Sequence, residues 1–315
     1  MTLSQNSILR AISIENIKRA IPLGMGQLKR HLIKVPFAVN YDLTYKCNLR
    51  CEHCYFFSSV EEKRRENAIH TELTDNQWLK VFKYHKSRGI TSAAITGGEP
   101  TLRMNLLYDA VKIFPRVQIA TNGIIKIPKF PKNKQPLIWT SIDGLPETHN
   151  AIRGAEIYDR IIENIRDDKR VLISTTVTTS NYDEIEDIVK ELIKINVSGL
   201  FFLFYTGYPN DPLLLKGKYL QKAVQSISKV MNEYEDFIVI SKKMIQCYIT
   251  KAHVPGCLFK NGGIQSFYPN GERKFCVMGN SPLLCANCGC IVPVASYCIS
   301  KFDPETIEKL KKFPL

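Results

Sequence analysis

Between residues 36 and about 205, short apolar segments alternate with amphipathic ones. The apolar segments that resemble strands are VPFAVNYDLT, TSAAIT, RVQIAT, PLIWTSID, VLISTTV and LFFLFY. Strands this uniformly apolar are typical of a parallel sheet covered by helices. We therefore predict an α/β fold, a partial (β/α)6 barrel of the TIM type with a small cysteine-rich C-terminal extension. A doubly wound parallel sheet is the competing architecture.

Several amphipathic segments carry local signals for a helix boundary. Thr74 and Gln77 form a candidate capping box, and Gly89 marks the end of the helix that follows it. Asn181 and Glu184 occupy cap positions before another helix. The spacing predicts the core face of that helix to be Ile185, Ile188, Val189, Leu192 and Ile193.

The pattern changes after about residue 206, where we expect a helix near 212–234, a short strand at FIVIS and a last helix near 304–313. We divide the chain into three parts. Residues 1–35 form a basic amphipathic helical segment, residues 36–240 the barrel, and residues 241–315 a cysteine-rich domain. In the first part, six Lys or Arg residues accompany a single acid, Glu15. A helix of this kind suits a membrane surface, a protein surface or the barrel itself.

Polar or glycine-rich motifs follow four successive predicted strands, namely KCNLRCEHC, GGEP, TNG and SIDG. The carboxyl ends of parallel strands lie at one edge of the sheet, where α/β proteins build their active sites. The sequence therefore predicts a single site there.

The first motif places Cys47, Cys51 and Cys54 within eight residues. Three thiolates on one loop can hold three irons of a four-iron, four-sulfur cluster and leave the fourth iron open. Structural zinc is the rival ligand, but it takes four protein ligands, usually in two separated pairs.

CNLRCEHC has the CxxxCx(ring)C form of the radical S-adenosylmethionine (radical SAM) enzymes, and GGEP resembles the glycine-rich motif of that family. The resemblance implies that the three cysteines bind a [4Fe–4S] cluster, whose open iron chelates S-adenosylmethionine. It also implies reductive cleavage of that cofactor to a 5'-deoxyadenosyl radical, which abstracts hydrogen from a substrate. An electron donor such as flavodoxin or ferredoxin would supply the electron for this cleavage.

The same resemblance suggests which residues contact S-adenosylmethionine. His53 would lie against the adenine, while Gly97, Gly98 and Glu99 would receive the methionine ammonium group. Asn122 and Ser141 would face the ribose. Arg153 would pair with the methionine carboxylate, although a salt bridge at the barrel rim or a helix cap is an equal alternative. Asp143 also has a purely structural alternative, in which its side chain only closes the SIDG turn.

Seven of the ten cysteines lie between Cys247 and Cys298. The stretch from Cys257 to Cys276 resembles the opening of the SPASM or twitch extensions, which hold auxiliary iron–sulfur clusters in this family. Structural zinc and unliganded thiols are the alternatives. Cys247 is expected to be a small buried residue. The preferred auxiliary ligands are Cys257, Cys276, Cys285 and Cys288, with Cys290 or Cys298 as exchanges.

The sequence leaves three substrate classes open, namely a peptide or protein, a lipid or isoprenoid, and a phosphorylated small molecule. The formal net charge of +13 suits nucleic acid, an anionic membrane or a phosphorylated substrate, and selects none of them. Peptide-modifying relatives often carry a leader-binding domain ahead of the barrel, and the short N-terminal segment predicts none. No membrane span or secretory signal is visible, so we expect a cytoplasmic protein. The alternative function is a non-catalytic iron–sulfur or zinc protein that binds nucleic acid.

Overall fold

The computed structural model of the chain describes residues 36–56, 71–131, 133–311 and 313. The helix predicted within residues 1–35 lies outside these ranges. Among the described residues, no helix combines the length and the apolar composition needed to cross a membrane.

An open eight-stranded sheet forms the centre of the fold, with the strand order β6-β5-β4-β3-β2-β1-β7-β8. Neighbouring strands from β6 to β7 are parallel, and β8 returns antiparallel to β7. The predicted α/β class and the partial barrel are therefore confirmed. The strands are β1 (Ala38–Asp42), β2 (Ser92–Thr96), β3 (Arg116–Thr121), β4 (Leu137–Ser141), β5 (Val171–Val177), β6 (Gly199–Phe204), β7 (Ile264–Phe267) and β8 (Arg273–Lys274).

Helices follow most of the strands and pack on the outer face of the sheet. On that face, the ring of Tyr41 lies 5.6 Å from Trp78 and 5.0 Å from Phe82. The helices are α1 (Asp75–Ser87), α2 (Met104–Ile113), α3 (Pro146–Arg153), α4 (Tyr158–Ile165), α5 (Ile185–Leu192), α6 (Gly217–Glu233), α7 (Lys242–Thr250), α8 (Ile291–Ser300) and α9 (Pro304–Leu310).

The helix-boundary predictions have mixed outcomes. The capping box of α1 is confirmed, since Gln77 N donates to Thr74 Oγ1 at 3.3 Å and Thr74 N donates to Gln77 Oε1 at 2.8 Å. The side chain of Glu184 does not cap α5 and instead accepts from Leu145 N, just before α3, and from the Thr148 hydroxyl within α3. The placement of Ile193 in the core is wrong, because its side chain is 39% exposed. FIVIS forms only an isolated bridge between Ile238 and Leu200 and no strand.

The inner face of β1 is polar and fixes its two neighbours. Asn40 donates to Thr96 Oγ1 on β2 at 2.8 Å and accepts from Ser266 Oγ on β7 at 2.6 Å. Thr96 Oγ1 in turn donates to Asp42 Oδ1 at 2.6 Å. These buried hydrogen bonds fix the register of β7, so the strands of the C-terminal extension belong to the same sheet as the barrel.

The C-terminal extension contacts both sides of the opening in the sheet. Its β7–β8 hairpin extends the β1 side, while Gly289 N donates to Thr206 Oγ1 at 2.8 Å just beyond β6. A Cβ atom on Gly289 would lie 1.6 Å from the carbonyl oxygen of Phe204, so only glycine fits there. The cysteine-rich segment around Gly289 therefore rests directly on the end of β6.

Candidate functional site

The three cysteines of the first motif lie on the loop that follows β1, at the carboxyl edge of the sheet. Cys47, Cys51 and Cys54 are half-buried thiols that form no disulfide. The start of their loop is held by Glu72, whose carboxylate accepts from Tyr45 N at 2.6 Å and from the Thr44 hydroxyl at 3.0 Å. Glu72 was missed in the sequence because nothing in its local pattern indicates a tertiary role.

Gly97 and Gly98 pack directly against the cysteine loop. Gly98 N donates to Thr44 O at 2.8 Å, and Glu99 N donates to Lys46 O at 2.9 Å. A Cβ atom on Gly98 would lie 2.1 Å from Lys46 O, and Gly97 has φ of +126°. The contact between these loops therefore requires both glycines. The sequence pattern alone does not indicate this packing role.

The Glu99 carboxylate is 1% exposed and joins the second motif to the third. Oε1 accepts from Thr101 N at 2.9 Å, from the Thr101 hydroxyl at 2.5 Å and from Thr121 Oγ1 at 2.8 Å. Among the described residues, Oε2 accepts from Asn122 N alone, at 2.8 Å. Burial raises the pKa of Glu99, and these hydrogen bonds oppose that rise. Oε2 retains an acceptor position for a cation.

Asn122 and Ser141 lie at the same edge of the sheet. The Asn122 side chain donates to Asn48 Oδ1 at 2.8 Å and accepts from Ile124 N at 3.0 Å. It thereby connects the third motif to the residue beside Cys47. Ser141 is the last residue of β4 and is half-buried.

Asp143 is the centre of a buried charge network next to Cys51. Its Oδ2 pairs with the Arg153 guanidinium and lies 3.4 Å from His53 Nε2, while its Oδ1 accepts from Thr176 N at 2.8 Å. Arg153 Nη1 also donates to Cys51 Sγ at 3.6 Å. Arg153 therefore forms the rim salt bridge that the sequence left as an alternative, and Asp143 does more than close a turn.

Burial sets the protonation of this network. It opposes ionisation of Asp143, but the charge of Arg153, together with His53, His149 and the hydrogen bond from Thr176 N, outweighs it and the pKa of Asp143 is lowered. Burial lowers the pKa of His53 to about 4, so its ring is neutral at pH 7. Burial raises the pKa of Cys47 to about 11 and also raises that of Cys51, where Arg153 opposes the rise.

These features fit an iron–sulfur cluster with a bound cofactor. Thiols with raised pKa values become thiolates when a metal supplies the compensating charge. His53 Nδ1 and Arg153 Nε are buried without a hydrogen-bond partner in the described part of the chain. Buried polar atoms of this kind indicate a missing partner beside the cysteines.

The cysteines of the extension fall into two groups. Cys247 and Cys298 are buried between α7 and α8, with their sulfur atoms 3.7 Å apart. Cys247 is thus a buried residue as expected, and Cys298 lies with it instead of with the other predicted ligands. The second group, which interacts electrostatically, contains Cys257, Cys276, Cys285, Cys288 and Cys290.

Within the second group, Cys290 interacts electrostatically with three of the other thiols. Burial raises its pKa far above the usual value, and Cys288, Cys276 and Cys257 add to the rise. Cys285 interacts with Cys276 and with Cys257. No three His, Cys, Asp or Glu side chains of the described residues converge as ligands of one metal ion. A four-iron cluster distributes its thiolates over separate irons.

Residues 41–192 match the family model described as the radical SAM superfamily. The sporulation killing factor maturation protein SkfB of Bacillus subtilis (strain 168) is 27% identical over 194 residues, which are 58% of this chain and 44% of SkfB. A GTP 3',8-cyclase of Clostridium perfringens (strain SM101 / Type A) is 30% identical over 163 residues, 47% of this chain and 49% of the cyclase. The chain therefore spans less than half the length of these curated relatives.

The crystal structure of Streptococcus suis SuiB bound to the precursor peptide SuiA shares its fold with this protein over 84% of this chain and 64% of the matched chain. The TM-score is 0.61 at 18% sequence identity, which shows a shared fold. These matches do not favour the alternative of a non-catalytic nucleic-acid-binding protein. Together with CNLRCEHC and GGEP at the carboxyl edge of the sheet, they identify residues 41–192 as a domain of the radical SAM superfamily, whose enzymes use a [4Fe–4S] cluster and S-adenosylmethionine.

Proposed function

We propose that this protein is a radical SAM enzyme that modifies a precursor peptide. The observation that carries the radical chemistry is the loop of Cys47, Cys51 and Cys54 held at the carboxyl edge of the sheet by the GGEP segment. SkfB is a maturation protein, and SuiB binds a precursor peptide. These two likenesses support a peptide as the substrate.

In this proposal, Cys47, Cys51 and Cys54 hold the cluster through three irons. When bound, the cluster and S-adenosylmethionine supply a 5'-deoxyadenosyl radical that removes a hydrogen atom from the substrate. The protein positions these groups and excludes water, because so reactive a radical takes the nearest hydrogen. Flavodoxin or ferredoxin is the proposed electron donor.

Glu99 is the proposed partner of the methionine ammonium group. Oε1 is fully engaged by Thr101 and Thr121, which fixes the carboxylate, while Oε2 keeps room for a charged donor. Gly97 and Gly98 hold this carboxylate at a constant distance from the cysteine loop. Their main chain would also line the ammonium site.

The remaining contacts follow the edge of the sheet. His53, neutral at pH 7, would stack on the adenine, and Asn122 and Ser141 would bind the ribose. Arg153 holds Asp143 and lies beside Cys51. Its unpartnered Nε–H leaves one donor for the methionine carboxylate.

An auxiliary [4Fe–4S] cluster is proposed for the extension. Cys257, Cys276 and Cys290 pack against one apolar cluster, which favours these three together with Cys288 as ligands of the auxiliary cluster, with Cys285 as the exchange ligand. Cys290 takes the place of Cys285, which was in the set preferred from the sequence. Cys257 and Cys276 flank the β7–β8 hairpin on one side of the opening in the sheet, and Cys288 and Cys290 flank Gly289 at the end of β6 on the other. The cluster would therefore join the two sides.

Deuterium transfer tests the proposed substrate class. The reconstituted enzyme is incubated anaerobically with S-adenosylmethionine, dithionite and a deuterated peptide encoded beside its gene. We expect deuterium in the 5'-deoxyadenosine and a changed peptide mass, because the radical takes its hydrogen atom from the peptide. Deuterated GTP serves as the comparison, since a GTP 3',8-cyclase is among the relatives. Transfer from GTP and none from peptide would reject a peptide substrate.

A further inference from the structure

The helix α7 ends at a lysine with an unusual backbone conformation. Lys251 caps the helix with φ of +57° and ψ of +21°, in the left-handed region. Glycine or asparagine normally occupies this position, because a residue with a larger side chain is strained there. A lysine at such a cap therefore indicates that its side chain has a role that compensates for the strain.

The turn that follows the cap is held by hydrogen bonds and leads to Cys257. Lys251 N donates to Cys247 O at 2.9 Å, and Val254 N donates to Lys251 O at 3.0 Å. Cys257 N in turn donates to Val254 O at 3.4 Å. His253 has no exposure to solvent, and its Nδ1 atom donates to Cys247 O at 3.2 Å. The main chain of Lys251 is therefore connected to the first cysteine of the proposed auxiliary cluster.

The side chain of Lys251 contacts the other half of the proposed ligand set. Its Nζ atom donates to Cys288 O at 3.0 Å, a partly buried contact across 37 residues of the chain. The next residue, Gly289, is held at the end of β6 by its hydrogen bond to Thr206. The ammonium group therefore lies beside the backbone of one proposed ligand, while the main chain of Lys251 leads to another.

The side chain of Lys251 is half-buried and lacks a counter-charge. Among the described residues, no Asp or Glu carboxylate forms an ion pair with its ammonium group. Its hydrogen bond to Cys288 goes to a neutral carbonyl group. A partly buried cation is costly unless an anion compensates its charge. A [4Fe–4S] cluster with four thiolate ligands is such an anion, and its reduction adds a further negative charge.

We propose that Lys251 is a positioning residue of the auxiliary cluster. Its ammonium group anchors the Cys288 backbone and supplies positive charge beside the reduced cluster. This inference rests on the proposed auxiliary cluster and gives a role in it to a residue that is not a ligand. A fixed positive charge near an iron–sulfur cluster favours the reduced form, which carries the extra electron, and so raises the reduction potential. Lys251 therefore helps to set the potential at which the auxiliary cluster accepts an electron.

Reduction potentials of matched variants test this inference. All are made in a background where Cys47, Cys51 and Cys54 are alanine, so that only the auxiliary cluster is titrated. Lys251→Met removes the charge, Lys251→Arg keeps it, and Lys242→Met removes an exposed charge from the opposite end of α7. We expect a more negative potential for Lys251→Met alone, with the other two close to the parent. An iron-loaded Lys251→Met protein with the potential of the parent would overturn the inference.

Lys251→Gln covers the case in which Lys251→Met does not bind iron. Glutamine is uncharged but keeps an N–H donor for the Cys288 carbonyl, so we expect it to bind iron and to show a more negative potential. Loss of iron from both uncharged variants, with iron kept in Lys251→Arg, would also support the role of the charge. A Lys251→Gln protein with the potential of the parent would overturn the inference, as would loss of iron from Lys251→Arg.

Thermal unfolding separates this role from a merely structural one. Lys251→Asn suits the left-handed cap and removes the half-buried charge, so it should change the melting temperature of iron-free protein little. In iron-loaded protein it should lower the melting temperature. The same shift in both forms would contradict the proposal. The iron content of the triple-alanine parent separates the two proposals, since a parent without iron would reject the auxiliary cluster itself.

Discussion

Lys274 Nζ lies 2.5 Å from Asp42 Oδ2, and neither side chain has any exposure to solvent. Asp42 is the last residue of β1, immediately before the cysteine loop, and Lys274 ends the β7–β8 hairpin two residues before Cys276. The ammonium group also donates to Val277 O at 2.8 Å and lies 5.4 Å from the ring of Tyr55. This ion pair therefore joins the two cysteine-bearing regions.

Removing one partner of this pair should be strongly destabilising. Lys274→Met leaves the Asp42 carboxylate buried without its cation, which we expect to cost about 3–5 kcal/mol in the free energy of unfolding. The double variant Asp42→Asn with Lys274→Met should recover most of that loss. Lys190→Met, which breaks an exposed pair with Asp187, should cost less than about 1 kcal/mol. Denaturant unfolding measures all three, and a Lys274→Met protein as stable as the control would contradict the expectation.

A methyl group on Gly98 should disturb the cysteine loop. The new Cβ atom would lie 2.1 Å from Lys46 O, so the loop must move, at a cost of about 1–3 kcal/mol. We expect Gly98→Ala to bind less iron at the first cluster. Gly256→Ala is the matched control, because its Cβ atom would meet nothing within 4 Å. Iron content after anaerobic reconstitution is the measurement, and equal iron in the two variants would show that the loop tolerates the change.

Arg153 should control the stability of the protein in acid. Burial opposes ionisation of Asp143, but its pKa is lower in the folded chain than the ordinary value of 3.8, because the charge of Arg153, the largest of several opposing contributions, acts with them against burial. The resulting stabilisation is present above about pH 4 and is lost as the pH falls through the folded pKa. Arg153→Met should remove it and cost about 3–5 kcal/mol at pH 6, where the carboxylate is left unpaired.

Unfolding of the iron-free protein at pH 6 and pH 3 measures this effect. We expect the difference between Arg153→Met and the parent to be smaller at pH 3 than at pH 6. Arg160→Met, at an exposed position on α4, should show no such dependence. A difference that stays constant with pH would mean that the Asp143 carboxylate is not the group involved.

The ligands of the auxiliary cluster can be separated by single substitutions. The triple variant Cys47→Ala, Cys51→Ala, Cys54→Ala should retain about four irons per chain. Adding Cys290→Ala should lower that number, because Cys290 packs with Cys257 and Cys276 against one apolar cluster. Adding Cys298→Ala should not, since its sulfur faces Cys247. Zinc in place of iron, or loss of iron with Cys298→Ala instead, would contradict the assignment.

The parts of the fold that the sequence predicted well are those with a local cause. The Thr74–Gln77 capping box lies within four residues, and the six parallel strands are continuous apolar runs. Ile193 was misplaced because α5 ends at Leu192 and the chain continues as a 3-10 turn, which moves that side chain out of phase with the core. The PNGE turn predicts the β7–β8 hairpin, but the pairing of β7 with β1 was missed because the two strands lie more than 220 residues apart in the chain.

The same distinction applies to the site. The three cysteines and GGEP were recognisable because the spacing of each motif reflects its chemistry. Glu72, Asn48 and Lys274 were not, because each acts on a residue distant in the sequence. The packing role of Gly98 depends on its contact with Lys46 O in the neighbouring loop, which no local pattern indicates.

Formation of 5'-deoxyadenosine tests the central claim most directly. Anaerobically reconstituted protein is mixed with S-adenosylmethionine and dithionite, and the product is measured by liquid chromatography and mass spectrometry. We predict 5'-deoxyadenosine and methionine from the parent protein and from Cys247→Ala, and none from Cys51→Ala. An iron-loaded parent protein that forms no 5'-deoxyadenosine, or a Cys51→Ala variant that forms as much as the parent, would contradict the proposed function.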